Sequence, residues 1–201
     1  MNATGTSTEG RRARKKAATR AAIADAALAL FFEHGYESVS IRQVADAADV
    51  AVATVFTHFP GKEALIFDED PDFGTALVAA VTERPTGHDL LTALEDFLGG
   101  TAVVRYAGTG EFDQFRALIN RTPELRVHWR QTWLRHAKAL ATAITEVGAQ
   151  RGHPVDPAPA AVLARFVLEA LDLAATSPDP KETLAAAFAQ LRGGWPYAEG
   201  S

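Results

Sequence analysis

The chain has 201 residues, a net charge of −5, an apolar content of 47% and no cysteine. The absence of thiols excludes disulfides and thiolate metal sites, and no stretch is apolar for long enough to span a membrane. Abundant alanine and few alternating β-branched runs predict an all-α chain with a sizeable core.

Met1–Gly10 is rich in Thr, Ser and Gly and reads as a disordered tail. It lacks the hydrophobic core of a signal peptide, which predicts a cytoplasmic protein. Arg11, Arg12, Arg14, Lys15 and Lys16 follow as a basic arm suited to phosphates. A first helix is predicted from about Arg14 to His34, with Ile23, Ala27, Leu28, Leu30 and Phe31 on one face and Gly35 beyond its end. Ser40 and Gln43 have capping-box spacing and start a helix with the stripe Ile41, Val44, Ala45 and Ala48. The chain turns at Ala47–Val50, where Asp49 tolerates left-handed backbone. A second short helix runs from about Val52 to His58, ended by Pro60-Gly61. Small Ala45, Ala48 and Ala53 allow a close crossing, plugged by Val50, Val55 and Phe59. The pair forms a helix-turn-helix whose second helix fits a DNA major groove.

From Gly10 to Lys62, eight basic residues face five acids, so this part is basic and the remainder acidic. That distribution reconciles a negative chain with a nucleic-acid partner.

The segment Thr19–Leu65 closely resembles the DNA-binding head of TetR-type transcriptional repressors. The resemblance rests on Leu30-Phe31-Phe32-Glu33-His34-Gly35-Tyr36, Ser40-Ile41-Arg42-Gln43-Val44-Ala45 and the run Thr54–Leu65 containing Phe59-Pro60-Gly61-Lys62-Glu63. It implies a ligand-responsive repressor that binds a palindromic operator as a homodimer and is released by a small-molecule effector. It also implies that Ser40, Arg42, Val52, Ala53, Thr54, Phe56, Thr57, His58 and Lys62 stand where the family faces DNA. Arg42 offers a planar fork for a guanine edge, and Val52 and Phe56 offer apolar contact to a thymine methyl. Lys62, in the first turn of a fourth helix that continues to about Glu83, is placed to clamp a phosphate. Three positions depart from the family pattern. Asp49 replaces the usual glycine of the turn, Ala51 replaces a capping Ser or Thr, and Phe56 replaces a frequent tyrosine and so lacks its hydroxyl.

Residues 11–66 are therefore read as the helix-turn-helix domain, 67–194 as a ligand-binding and dimerisation body, and 195–201 as a frayed end, with about nine helices in all. In the body, Asp89–Tyr106 is helical but interrupted by Gly99-Gly100, and Phe112–Asn120 forms a short helix. Pro123–Arg151, Ala158–Ala175 and Pro180–Leu191 complete it. Phe97, Tyr106, Phe115, Trp129, Trp133, His136 and Phe166 supply an apolar wall with a few polar handles for a small apolar or aromatic effector. The helix around Phe166 is apolar on more than one face, which calls for a second covering surface. In TetR-like proteins the last two helices pair with their two-fold mates, placing Val162, Leu163, Val167, Leu171, Phe188 and Leu191 at a dimer interface. No cofactor fingerprint, metal-ligand spacing or catalytic arrangement stands out, so neither a cofactor nor a metal nor an enzyme is expected. The alternative is a helical enzyme or binding protein for an apolar molecule with a vestigial head.

Overall fold

A computed structural model of the chain describes residues Thr6–Phe67 and Pro71–Gly193. Among these residues every regular element is helical: ten α-helices and one 3-10 turn. The sequence expectation of about nine fell short because Gly99-Gly100 divides one predicted helix in two.

The chain forms two compact units, one drawn from Met1–Glu69 with Ala117–Arg126, the other from Asp70–Arg116 with Val127–Ser201. In the first unit, α1 spans Thr6–His34. It starts well before Arg14 and takes in Thr6–Gly10, which composition assigned to a tail; Met1–Gly5 lie outside the described residues. Arginine, lysine and alanine propagate a helix readily, and the single Gly10 costs only about 1 kcal/mol. Ile23, Ala24, Ala27 and Phe31 are buried along one stripe. Gly35 ends the helix at φ 80° and donates its N–H to the Phe31 carbonyl at 3.0 Å.

α2 spans Ile41–Ala47 and opens on a complete capping box. The Gln43 N–H donates to the Ser40 hydroxyl at 3.3 Å, and the Ser40 N–H donates to the Gln43 side chain at 2.8 Å. Asp49 turns the chain at φ 52°, the one non-glycine residue with positive φ among those described. α3 spans Val52–His58 and starts at Ala51 with no side-chain cap. Val44, Ala45, Val55 and Phe59 fill the crossing, whereas Ala53 is exposed rather than part of it.

No fourth helix starts at Lys62. A 3-10 turn spans Glu63–Leu65, and α4 runs only over Pro71–Thr82. Proline restricts the residue before it and cannot donate within a helix, so Pro71 opens a helix instead of bending one. Ala117–Arg126, assigned to the body from sequence, carries the buried side chains Leu118, Ile119, Thr122 and Leu125 of the first unit.

The second unit contains α5 (Leu90–Gly99), α6 (Ala102–Tyr106), α9 (Pro157–Thr176) and α10 (Pro180–Gly193), together with α4 and most of α7 (Gly110–Arg121) and α8 (Pro123–Gln150). Asp89 caps α5 by accepting the Thr92 N–H at 2.9 Å. Its core joins Leu77, Leu94, Leu140, Val167, Leu171 and Phe188, all fully buried. Val167, Leu171 and Phe188 were expected at a subunit interface; as core residues they present no surface to a partner. Leu163 and Leu191 pack partly against this core, and Val162 is 69% exposed.

The left-handed backbone at Asp49 gives a direct test. Asp49→Gly should be neutral or stabilise by up to about 1 kcal/mol, while Asp49→Val should cost about 1–2 kcal/mol in urea unfolding. Equal effects of the two substitutions would contradict the turn described here.

Candidate nucleic-acid interface

α3 is only seven residues long, and a helix of that length is not stable alone. Its outer face is the strip Val52, Ala53, Phe56 and Thr57, all exposed, with Phe56 at 55% and Val52 at 38%. An exposed phenylalanine on a short helix gains nothing for the fold and leaves a large apolar surface for a partner. Thr54 and His58 are half-buried at the edges of the strip. The Thr57 hydroxyl donates to the Ala53 carbonyl at 2.9 Å, leaving its oxygen lone pairs outward. Arg42 is exposed in the first turn of α2, and Arg11, Arg12, Arg14, Lys15 and Lys16 are exposed along α1. The Ser40 hydroxyl, by contrast, is engaged in the capping box.

What holds α3 is a residue that sequence reading passed over. The Arg20 guanidinium donates to the His58 carbonyl at the end of α3. It also lies over the buried Phe59 ring, 4.3 Å from its centroid. The signal was its register: Arg20, Ala24, Ala27 and Phe31 recur at helical spacing, so a cation continues the buried stripe of α1. Burial first, then Lys16 and Arg20, lowers the His58 pKa, so the ring is neutral at pH 7. Its Nδ1 is sealed from solvent without a hydrogen-bond partner among the described residues. With the folded pKa depressed, this histidine's share of stability is complete above pH 6.5 and is lost as pH falls through the lowered value.

Lys62 turns inward. Its ammonium donates to the Tyr36 carbonyl and sits 4.2 Å from the centroid of the Tyr36 ring. Burial lowers its pKa, with Glu63 and Glu37 opposing. Burial also raises the Tyr36 phenol, helped by the charge of Glu63 and a hydrogen bond to it. Phe31 packs on Tyr36 with ring centroids 5.3 Å apart. Lys62 therefore ties the end of α1 to the 3-10 turn.

The second unit gathers some of the expected ligand residues and separates others. Phe73, not singled out from sequence, is ringed by Phe97 at 5.8 Å, Trp133 at 5.9 Å and His136 at 5.2 Å. Trp129 stacks on Trp133 at 4.1 Å. Gly74 permits this closeness, because a Cβ there would stand 2.8 Å from His136 Nδ1. Tyr106 is 56% exposed, Phe115 pairs with Phe112 on α7, and Phe166 packs against the core. A cleft of about 380 Å³ between α8 and α9 is lined by Trp129, Trp133, Leu134, Ala137, Arg165 and Leu168, among others. The Trp133 Nε1 has no hydrogen-bond partner among the described residues. A buried donor left unpaired costs about 1–3 kcal/mol. Among the described residues no group of acidic, histidine or cysteine side chains is arranged to hold a metal ion, and no helix is long and apolar enough to cross a membrane.

Arg20→Met should lower stability by about 2 kcal/mol in urea unfolding, since it removes both a charge-assisted hydrogen bond and a cation–π contact. Unchanged stability would show that α3 is held by its apolar contacts alone.

Residues 23–68 match the family model described as "Bacterial regulatory proteins, tetR family". The chain is 29% identical over 150 residues to the HTH-type transcriptional regulator TcmR of Streptomyces glaucescens, covering 71% of this chain and 64% of that protein. It thus spans less than two thirds of that curated relative's length. It is 51% identical over 47 residues to the HTH-type transcriptional repressor KstR of Rhodococcus jostii, covering 23% of this chain and 22% of that protein. Among solved structures, the transcriptional regulator FadR from Bacillus subtilis, in complex with stearoyl-CoA, superposes with a TM-score of 0.57 at 20% identity over 87% of this chain and 98% of that one. That similarity concerns the fold. With the helix-turn-helix and its exposed α3 strip, residues 23–68 are a TetR-type helix-turn-helix segment, and the chain is similar to HTH-type transcriptional regulators.

Proposed function

We propose that the protein is a homodimeric repressor that binds a palindromic operator and leaves it when a small molecule occupies the body. The observation that carries this reading is the exposed strip of α3, Val52, Ala53, Phe56 and Thr57, beside the exposed Arg42 and the basic arm of α1. Phosphate contacts from the arm set position, and base edges are read by Arg42 and the strip. Half-sites lie one helical turn apart, about 34 Å. The FadR relative in fold is a complex with stearoyl-CoA, which supports an effector in the second unit here. The similarity to HTH-type transcriptional regulators weighs against the enzyme alternative.

α9 supplies the argument for the dimer. Val162, Arg165, Glu169 and Leu173 line its outer face, with Val162 69% and Leu173 54% exposed. An antiparallel two-fold pairing centred near position 167 brings Val162 onto the partner's Leu173 and Arg165 onto the partner's Glu169. A two-fold interface must be self-complementary in this way. Exposed Ala185, Ala186 and Ala189 on α10 allow close approach beside it.

Arg42→Ala should weaken specific DNA binding by about 1–3 kcal/mol and relax one base pair per half-site in a mobility-shift titration. Lys62→Met should lower stability and leave the salt slope of binding unchanged; a slope reduced by about one contact per subunit would return Lys62 to the phosphates. Arg165→Glu should weaken the dimer at least about tenfold in sedimentation, and adding Glu169→Arg should restore it. An Arg165→Glu chain that stays dimeric with its original affinity would overturn the α9 pairing.

A further inference from the structure

We propose that the α8–α9 cleft takes a planar aromatic carboxylic acid, its ring against Trp129 and Trp133 and its carboxylate on Arg130. This rests on the reading of the second unit as effector-binding and names the chemistry of that effector. The cleft is apolar: Trp129 and Trp133, stacked on each other at 4.1 Å on α8, line it together with Leu168 of α9. An aromatic ring gains dispersion and edge contacts against these indoles.

The polar rim decides the charge. It consists of Arg130, Arg165, Glu169 and Asp172. Asp172 is engaged by Arg116 at 3.1 Å. Arg165 and Glu169 offset each other in charge, and in the proposed dimer each faces the other's counterpart on the partner. Arg130 remains, exposed, between the two tryptophans in sequence and with no ion pair among the described residues. A guanidinium beside an apolar slot binds a carboxylate through two parallel N–H donors, and does so more strongly as water is excluded. The small apolar or aromatic effector expected from sequence is thereby narrowed to an anionic aromatic one, because composition could not show which rim charges are already matched.

The test uses the full chain, calorimetry, and two probes of nearly equal shape, 2-naphthoate and neutral 2-naphthamide. The naphthoate should bind at least about tenfold more tightly than the amide, and Arg130→Gln should abolish that preference while the amide still binds. Trp133→Phe trims the indole that lines the cleft and should weaken both probes several-fold. Saturating 2-naphthoate should weaken DNA binding by the unmutated chain. Equal binding of the two probes, a preference that survives Arg130→Gln, or no binding at millimolar concentration overturns the proposal. Unchanged binding of both probes by Trp133→Phe overturns the seating of the ring against Trp133. DNA binding that ignores bound naphthoate overturns the effector assignment but leaves the regulator reading intact. A chain that binds naphthoate yet never selects a DNA sequence overturns the regulator reading instead.

Discussion

A two-turn helix cannot hold itself, and that constraint organises the first unit. α3 has no side-chain cap and too few internal hydrogen bonds to offset its ordering entropy. It persists because Val55 and Phe59 are buried and because Arg20, reaching from α1, accepts the end of the helix by donating to the His58 carbonyl. This support comes entirely from the inner face. The outer face is thereby free of structural duties, and Phe56 can stand exposed without cost to the fold's logic. The Lys62–Tyr36 tie acts in the same sense one element later, fixing the 3-10 turn against the end of α1.

The division between inner and outer faces was largely legible in the sequence. The capping box at Ser40, the left-handed turn at Asp49 and the bounds of α2 and α3 follow from local rules, since each depends on neighbours within four residues. The pairing of Arg20 with His58, 38 residues away, was not legible, because only the folding of the first unit brings them together. The direction of Lys62 was also misjudged. A lysine after glycine and before a helix suggests a phosphate clamp, but the predicted helix is absent there and the nearby Tyr36 carbonyl takes the ammonium.

In the second unit, hydrophobic periodicity found the helices but could not rank their faces. Leu171 and Val162 looked equivalent as members of an apolar helix; the first is fully buried and the second 69% exposed. The aromatic residues were likewise recognisable as a set, yet their grouping depends on Phe73 and on the missing Cβ of Gly74, neither of which stands out by type. Tyr106 illustrates the opposite error, an aromatic of the right kind that the break at Gly100 leaves on a short exposed helix.

The central claim is that the outer face of α3 reads bases in the major groove. Its most direct test is selection of bound duplexes from a random pool, followed by thymine-to-uracil replacement in the selected half-site. The account predicts two inverted half-sites centred about 34 Å apart. It also predicts at least one thymine whose methyl group matters, losing affinity in the unmutated chain but not in Phe56→Ala. Selection that enriches no sequence, or uracil replacements without effect at every position, would contradict it.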